Sequence, residues 1–540
     1  MKIQGQFVDL HQRQIRPAEI HIIDGKIKQI NALREAPPQY ILPGFVDAHI
    51  HIESSMLVPA QFAKIAVRHG TVATVSDPHE IANVLGEAGV DFMLENARQV
   101  PLNFFFGAPS CVPATNFESA GATIDAAGIE RLLQKEEILY LAEMMNFPGV
   151  LHQDQEVMAK IAIAKQLGKP IDGHAPGLRG EAAKQYAAAG ISTDHECVSY
   201  EEAKEKISYG MKILIREGSA AKNFAALIPL LAEHPKSIMF CSDDKHPDDL
   251  LLGHINQLVA RGLREGYNLF DLLRAASVHP VEHYSLPVGL LREGDPADFI
   301  ITDELTDFRV RQTYLKGECV YDEGRVLFES GFAERLNQFN ISPIKPEALS
   351  VPAKSENIHL IEAIDGELIT RKKVVPANIQ GGIAVSDPSR DILKMVVVNR
   401  YQEAPIAKAF VQNFGLKYGA IASSVGHDSH NIIAVGVTDQ EIAQAVNLLI
   451  AEQGGIAVVG PDKQEILPLP IAGIMSDQDG ESVGGAYASL DQMAKQLGST
   501  LRAPFMTLSF MALLVIPAIK LSDKGLFDGE SFSFLPLFAD

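Results

Sequence analysis

The segment Pro43–Glu53, with the sequence PGFVDAHIHIE, limits most strongly what this chain can fold into. Its apolar start, FVDA, is typical of a short buried strand. His49 and His51 follow at alternate positions, and alternate side chains of a strand share a face, so both imidazoles converge on one point. Two imidazoles at a strand end form half of a metal site, whereas an isolated His-x-His is commonly a polar sheet edge. The remaining sequence has to decide between these interpretations.

Length, charge and cysteine content narrow the classes of function. At 540 residues the chain predicts two to four domains, and its 46% hydrophobic content is that of a globular protein with sizeable cores. A formal net charge of −21 argues against nucleic-acid phosphates as the main partner. Four widely spaced cysteines form neither a disulfide framework nor a thiolate zinc site, which favours a cytoplasmic protein. We expect no signal peptide and no membrane span.

Short apolar runs separated by helical segments recur between residues 43 and 243. Strands that alternate with helices indicate βαβ units, and eight units predict a (β/α)8 barrel, with a doubly wound open sheet as the alternative. The eight predicted strands are Phe45–Ala48, Thr71–Val75, Leu102–Phe106, Ile138–Ala142, Pro170–Ile171, Ile191–Thr193, Met211–Ile215 and Ile238–Cys241.

The segments that flank the barrel predict two further domains. Residues 1–42 alternate apolar and polar positions, and short strands return after Pro280, so we predict one small β-sandwich domain from residues 1–42 and 280–340. The barrel then spans residues 43–279 and ends with a long helix over about 254–277. Residues 351–540 mix strands and helices and predict an additional C-terminal α/β domain.

Metal-binding residue types follow the predicted barrel strands at their downstream ends. Because (β/α)8 enzymes place their chemistry at the carboxyl ends of the strands, six such residues predict one site. Four imidazoles and two carboxylates suit two divalent ions such as zinc, manganese or iron. Glu143 has two oxygens to bridge the ions, and Asp243 can bind one ion and act as general base. The predicted ligands are His49, His51, Glu143, His174, His195 and Asp243.

Several longer phrases carry a family resemblance. They are SDPHEIANVLG at 76–86, DGHAPGL at 172–178, REGSAAKN at 216–223, CSDDKHPDDLLL at 241–252 and PFMTLSFMAL at 504–513. With PGFVDAHIH and GDPADFII, they make the chain resemble the amidohydrolase superfamily, and within it the bacterial adenine deaminases, over its whole length. Many binuclear members bridge their metals with a carboxylated lysine, whereas here Glu143 takes that position, as it does in adenine deaminases.

The resemblance implies an enzyme of purine salvage that hydrolyses adenine to hypoxanthine and ammonia. It implies two divalent ions, with manganese expected and iron or zinc as alternatives, a hydroxide between them that attacks C6, and a homodimer or higher homo-oligomer. Another deaminase or a cyclic-amide hydrolase of the superfamily stays open, because loops determine the substrate. A non-catalytic, amidohydrolase-like assembly protein is a remoter alternative, because such proteins would be expected to lose metal ligands.

The residue that supports N1 of the purine can only be nominated from the sequence. His79 and Glu80 follow the second strand at the barrel mouth, although they also fit a plain helix start. Both are candidates for catalysis or substrate contact, and Arg179 is a weaker candidate for substrate contact. The late run GHDSH at 426–430 predicts a structural or pocket-closing loop rather than a second metal site.

Overall fold

The structure is a computed structural model that describes residues 1–539. Its first sixteen strands form a barrel and a small sheet that wraps the two flanks of the barrel. They are β1 (Lys2–Asp9), β2 (Gln14–Ile23), β3 (Lys26–Ala32), β4 (Tyr40–Pro43), β5 (Phe45–Ile50), β6 (Thr71–Ser76), β7 (Asn103–Ala108), β8 (Ile138–Met144), β9 (Ile171–Gly173), β10 (Thr193–Asp194), β11 (Lys212–Arg216), β12 (Ile238–Cys241), β13 (Phe299–Thr302), β14 (Val310–Leu315), β15 (Glu318–Asp322) and β16 (Arg325–Val326).

The barrel strands β5 to β12 are parallel and close into a ring. Hydrogen bonds join β5 through β9 and β10 through β12 as two arcs. Between β9 and β10, Ser192 N donates to Ile171 O at 2.9 Å, and between β12 and β5, Asp243 N donates to His49 O at 2.9 Å. Each of the eight strands overlaps one predicted apolar run, so the (β/α)8 prediction is confirmed and the open-sheet alternative is wrong.

The small sheet has the strand order β16-β15-β14-β13-β4-β1-β2-β3, so it draws strands from both sides of the barrel segment. The junction is the antiparallel pair β4–β13, where Leu42 lies opposite Ile300. Its core includes the stacked rings of Phe299 and Tyr314, whose centroids are 4.5 Å apart. This sheet ends where β5 begins and therefore anchors the strand that carries His49 and His51.

Fourteen helices belong to the barrel segment. The predicted long helix over 254–277 is wrong in one respect, because it is broken after Arg264 by Gly266, which has a φ of +91°. Asn268 then caps the next helix by accepting from two backbone N–H groups. The helices are α1 (Pro59–Ala66), α2 (His79–Leu85), α3 (Glu87–Ala97), α4 (Ala126–Leu133), α5 (Phe147–Leu151), α6 (Gln155–Gln166), α7 (Gly180–Ala188), α8 (Tyr200–Ser208), α9 (Phe224–Leu227), α10 (Leu230–Glu233), α11 (Pro247–Leu252), α12 (Ile255–Arg264), α13 (Leu269–Leu273) and α14 (His279–Tyr284).

Within residues 1–539, the C-terminal domain adds a large, mostly antiparallel sheet of nine strands, two small sheets of two and three strands, and three helices. The strands are β17 (Asn357–Ala363), β18 (Thr370–Pro376), β19 (Asn378–Gln380), β20 (Ile383–Val385), β21 (Ile392–Val398), β22 (Ala407–Gln412), β23 (Ala420–Ser423), β24 (Ile432–Gly436), β25 (Gly455–Val459), β26 (Gln464–Pro468), β27 (Ile519–Ser522), β28 (Gly525–Asp528), β29 (Ser533–Leu535) and β30 (Phe538–Ala539). The helices are α15 (Asp439–Glu452), α16 (Gly480–Gln496) and α17 (Pro504–Phe510).

Both faces of the large C-terminal sheet are buried. Along β21, Val396 and Val398 pack in the core that holds α15, whereas Met395 and Val397 join the core shared with the barrel. Alternation along a strand explains this division. The shared core fixes the C-terminal domain against the barrel mouth, which brings α17 and the 424–431 loop over the strand ends. Within residues 1–539, no helix is long and apolar enough to span a membrane.

Candidate active site

The strand-end residues of the barrel form two adjoining clusters at its carboxyl end. In the first cluster, Nε2 of His49 lies 3.2 Å from Nε2 of His51. Oδ1 of Asp243 lies 3.5 Å from the His49 nitrogen and 3.2 Å from the His51 nitrogen. The strand pair β12–β5 brings these side chains together, because the backbones of Asp243 and His49 are directly hydrogen-bonded.

Glu143, near the end of β8, joins the first cluster to the second. Its Oε1 lies 3.5 Å from Nε2 of His51. Its Oε2 lies 2.8 Å from Nδ1 of His174 and 3.1 Å from Nε2 of His195. One carboxylate therefore presents one oxygen to each cluster, which is the position of a bridging ligand.

The chemistry of these donors fits two divalent ions. All six side chains are at least nine-tenths buried, and they offer imidazole nitrogen and carboxylate oxygen without thiolate. Nδ1 of His51 lies 3.1 Å from the carbonyl of Asp77, and a proton on that nitrogen leaves the Nε2 lone pair facing the cluster. Two imidazole nitrogens that face each other at 3.2 Å, with carboxylates around them, are the arrangement that a cation satisfies. The residues thus suit a binuclear centre.

Arg216 and Glu196 hold Asp243 from the far side, and the sequence analysis did not nominate either one. Nη1 of Arg216 donates to Oδ2 of Asp243 at 2.6 Å, and the guanidinium also pairs with both oxygens of Glu196. Burial would raise the pKa of Asp243, but Arg216 and then the two histidines lower it well below its usual range. Asp243 is therefore ionised, with its free oxygen turned to the first cluster. Arg216 is the last residue of β11. Its position at the end of a barrel strand would have identified it if cationic side chains had been considered together with metal-binding ones.

His79 and Glu80 lie where the clusters meet the C-terminal domain. Nδ1 of His79 lies 3.3 Å from Oε1 of Glu143, and its ring contacts His51 at a centroid distance of 4.5 Å. Glu80 instead faces the C-terminal loop, where its carboxylate pairs with Nδ1 of His427 at 2.5 Å and with Nε2 of His430. Both nominated residues line the cavity above the clusters.

The cavity itself is small and is closed by the C-terminal domain. Its volume is about 30 Å³, and its lining includes His427 and Asp428 of the predicted loop at 426–430. Phe510 and Leu513 add an apolar wall. That loop thus covers the barrel mouth. The free space in this structure is smaller than a purine.

Arg179 is not brought to the cavity. It precedes α7, its side chain is 54% exposed, and its Nε donates to Glu205 at 3.1 Å. The chain turns outward at the start of α7, directly after the His174 segment. Arg179 therefore lies away from the cavity although it is close to His174 in sequence. We therefore withdraw the nomination of Arg179 as a substrate contact.

A larger groove lies on the outside of the barrel and holds none of the six strand-end residues. Its volume is about 830 Å³, and Lys222, Lys245 and Arg261 are among its walls. Size alone does not locate the chemistry here, because the groove lacks clustered metal donors. The closed cavity has them, so we assign the candidate active site to the cavity.

Known proteins resemble the chain over its whole length. The amidohydrolase family model matches residues 40–320, and the model of the adenine deaminase C-terminal domain matches residues 367–533. A relative from Salinibacter ruber, named adenine deaminase, is 55% identical over 100% of this chain and 99% of its own. Relatives of the same name from Methanosarcina barkeri (55% identical, 99% of each chain) and Parabacteroides distasonis (51%, 99% of this chain and 98% of its own) also match.

Proposed function

Because the chain belongs to the adenine deaminases of the amidohydrolase family, we propose that it hydrolyses adenine to hypoxanthine and ammonia at the cavity above the two clusters. The full-length identity to relatives of that name is the observation that carries the substrate. A non-catalytic assembly protein does not need six buried metal donors in one place, so the site also favours an enzyme.

We propose that His49, His51 and Asp243 hold one divalent ion, that His174 and His195 hold a second, and that Glu143 binds both. Such ions supply a nucleophilic water at neutral pH by lowering its pKa. The chain contributes the spacing of the ligands and a buried setting in which charges interact strongly. The separation of the two oxygens of Glu143 between the clusters supports its role as the bridge.

Asp243 is proposed as the base that takes a proton from the attacking water and returns it to the leaving amine. Its fixed position against Arg216 supports this role, because a base must hold its geometry as the proton moves. His79 and Glu80 are proposed to contact the purine. Both residues line the cavity, and His79 lies beside Glu143, which supports this assignment.

Four further assignments complete the proposal. Manganese is the proposed metal, because nitrogen and oxygen donors without thiolate suit it. A cytoplasmic location is supported by the four cysteines, all of which are free thiols in the described part of the chain. A place in purine salvage and a homodimeric or higher assembly rest on the family resemblance alone.

The proposal is tested by adenine turnover. Protein purified without chelator and loaded with manganese should convert adenine to equal amounts of hypoxanthine and ammonia, and the metal-free protein should not. A manganese-loaded protein with two ions per chain that leaves adenine unchanged would contradict the substrate and would leave the metal site standing.

A further inference from the structure

His427 is a buried histidine of the C-terminal domain that lies in the wall of the active-site cavity. It belongs to the loop between β23 and β24 and is 3% exposed. Its Nδ1 pairs with Oε1 of Glu80 at 2.5 Å. Its Nε2 has no hydrogen-bond partner among residues 1–539 although it is buried. A buried polar atom without a partner at the edge of a cavity is suited to a ligand.

The ring is held in one orientation. It stacks on Phe510 at a centroid distance of 5.3 Å, and its backbone N–H donates to Oγ of Ser509 at 3.3 Å. The second oxygen of Glu80 lies against Nε2 of His430. Asp244 is the nearest acid to Nε2, at 3.9 Å, and it also lines the cavity. The Nε2 edge is thus the free edge of the ring.

We propose that His427 is a catalytic residue that donates its Nε2 proton to a ring nitrogen of the purine as the nucleophile adds to C6. This inference rests on the proposed function and names the group that the reaction needs at N1. Addition to C6 pushes an electron pair onto N1, and a proton there prevents negative charge from building on the ring. The C-terminal domain then supplies chemistry as well as a cover.

The protons of this step balance. One proton of the attacking water goes to Asp243 and leaves with the amine as ammonia when the C6–N bond breaks. The other, on the oxygen bound to C6, passes back to Nε2 of His427 as the carbonyl of hypoxanthine forms. It replaces the proton given to N1, which hypoxanthine keeps. Neither side chain is changed after one turnover.

The acids around His427 favour its protonated form. Burial would lower the pKa of His427, but Glu80, Asp244 and Asp428 raise it to about 9. Two further histidines lie near it, His430 and His246, and burial lowers the pKa of each, so both stay neutral. The imidazolium is therefore available across neutral pH as a donor.

The test compares His427→Asn with the wild type, both loaded with manganese, and with His359→Asn as a control on the outer edge of the same domain. We expect two ions per chain in all three and a fall of kcat by about 100-fold or more only in His427→Asn. The wild type should lose kcat/KM as pH rises through about 9, where His427 loses its proton, and His427→Asn should lack this decline. Glu80→Gln, which keeps His427, should move the decline to lower pH.

Two results would overturn the inference while the proposed function stands. One is a kcat of His427→Asn within about threefold of an active wild type. The other is a reduced kcat with the decline at high pH retained, which would make His427 a structural residue only. If circular dichroism shows that His427→Asn does not fold, Glu80→Gln provides the test instead. A decline of its kcat/KM at the same pH as in the wild type would overturn the inference. A wild type that does not act on adenine would instead refute the proposed function itself.

Discussion

Replacing Arg216 with methionine gives a prediction whose size follows directly from the structure. Arg216 is 3% exposed, and its guanidinium lies between the carboxylates of Asp243 and Glu196. Methionine has a similar length but no charge. In metal-free protein the change leaves two buried carboxylates close together without the cation between them.

The expected cost is large because a buried charge loses its partner. Breaking a buried ion pair from one side costs about 3–5 kcal/mol, and for a domain the size of this barrel that lowers the melting temperature by about 6–20 °C. Arg216→Lys keeps a charge but loses the fork that reaches both acids, so its loss should be smaller. Arg179→Met is the matched control, since Arg179 is a 54% exposed partner of Glu205 and surface pairs contribute little.

Thermal unfolding of the metal-free proteins, followed by calorimetry, measures this effect. The account predicts the order wild type, Arg179→Met, Arg216→Lys and Arg216→Met, from most to least stable, with the first two alike. Arg216→Met should also lose activity after metal loading, because Asp243 is no longer held. A melting temperature of Arg216→Met within about 2 °C of the wild type would refute the reasoning.

Three further predictions concern charge. Asp243→Asn should lower kcat by about 10²–10⁴-fold in steady-state assays, because an amide cannot take the proton, and near-normal turnover would exclude Asp243 as the base. Lys206→Met should lower the free energy of unfolding by about 3–5 kcal/mol in urea titrations, because Lys206 is the buried partner of two acids. Burial lowers the pKa of His69 and of His246 to about 3, so both rings stay neutral in the folded protein while an unfolded chain binds protons below about 6.5. The contribution of these two rings to stability is therefore complete above pH 6.5 and falls by about 1.4 kcal/mol per pH unit and ring towards pH 3. Urea titrations in which a His69→Asn, His246→Asn double variant loses as much stability as the wild type between pH 7 and 5 would contradict this.

The barrel and the six clustered residues were predictable because both follow from local patterns. Each barrel strand is a short apolar run, and each ligand follows such a run, so the order of elements alone places them at one end of a ring. The two shortest predicted runs, Pro170–Ile171 and Ile191–Thr193, also became strands, β9 and β10. The position of a residue at the carboxyl end of a barrel strand therefore predicts its place in the site, although the sequence gives no distance between residues.

Contacts between distant segments could not be predicted in the same way. Glu80 meets His427 across 347 positions of sequence, and only the docking of the C-terminal sheet brings them together. The nomination of Arg179 as a substrate contact relied on its closeness to His174 in sequence. In the structure the start of α7 turns the Arg179 side chain outward. The break in the predicted helix over 254–277 depends on Gly266 and on the Asn268 cap. A prediction from hydrophobic periodicity alone does not take such residues into account.

The most direct test of the account is the metal content and the adenine turnover of wild type and Glu143→Gln, measured on the same manganese-loaded samples. At an effective dielectric constant of about 20, two doubly charged ions about 4 Å apart repel by about 16 kcal/mol, so a shared carboxylate is essential. The account predicts two ions per chain and release of ammonia from adenine for the wild type. For Glu143→Gln it predicts at most one ion and loss of turnover. Two ions and normal turnover in Glu143→Gln would contradict the central claim.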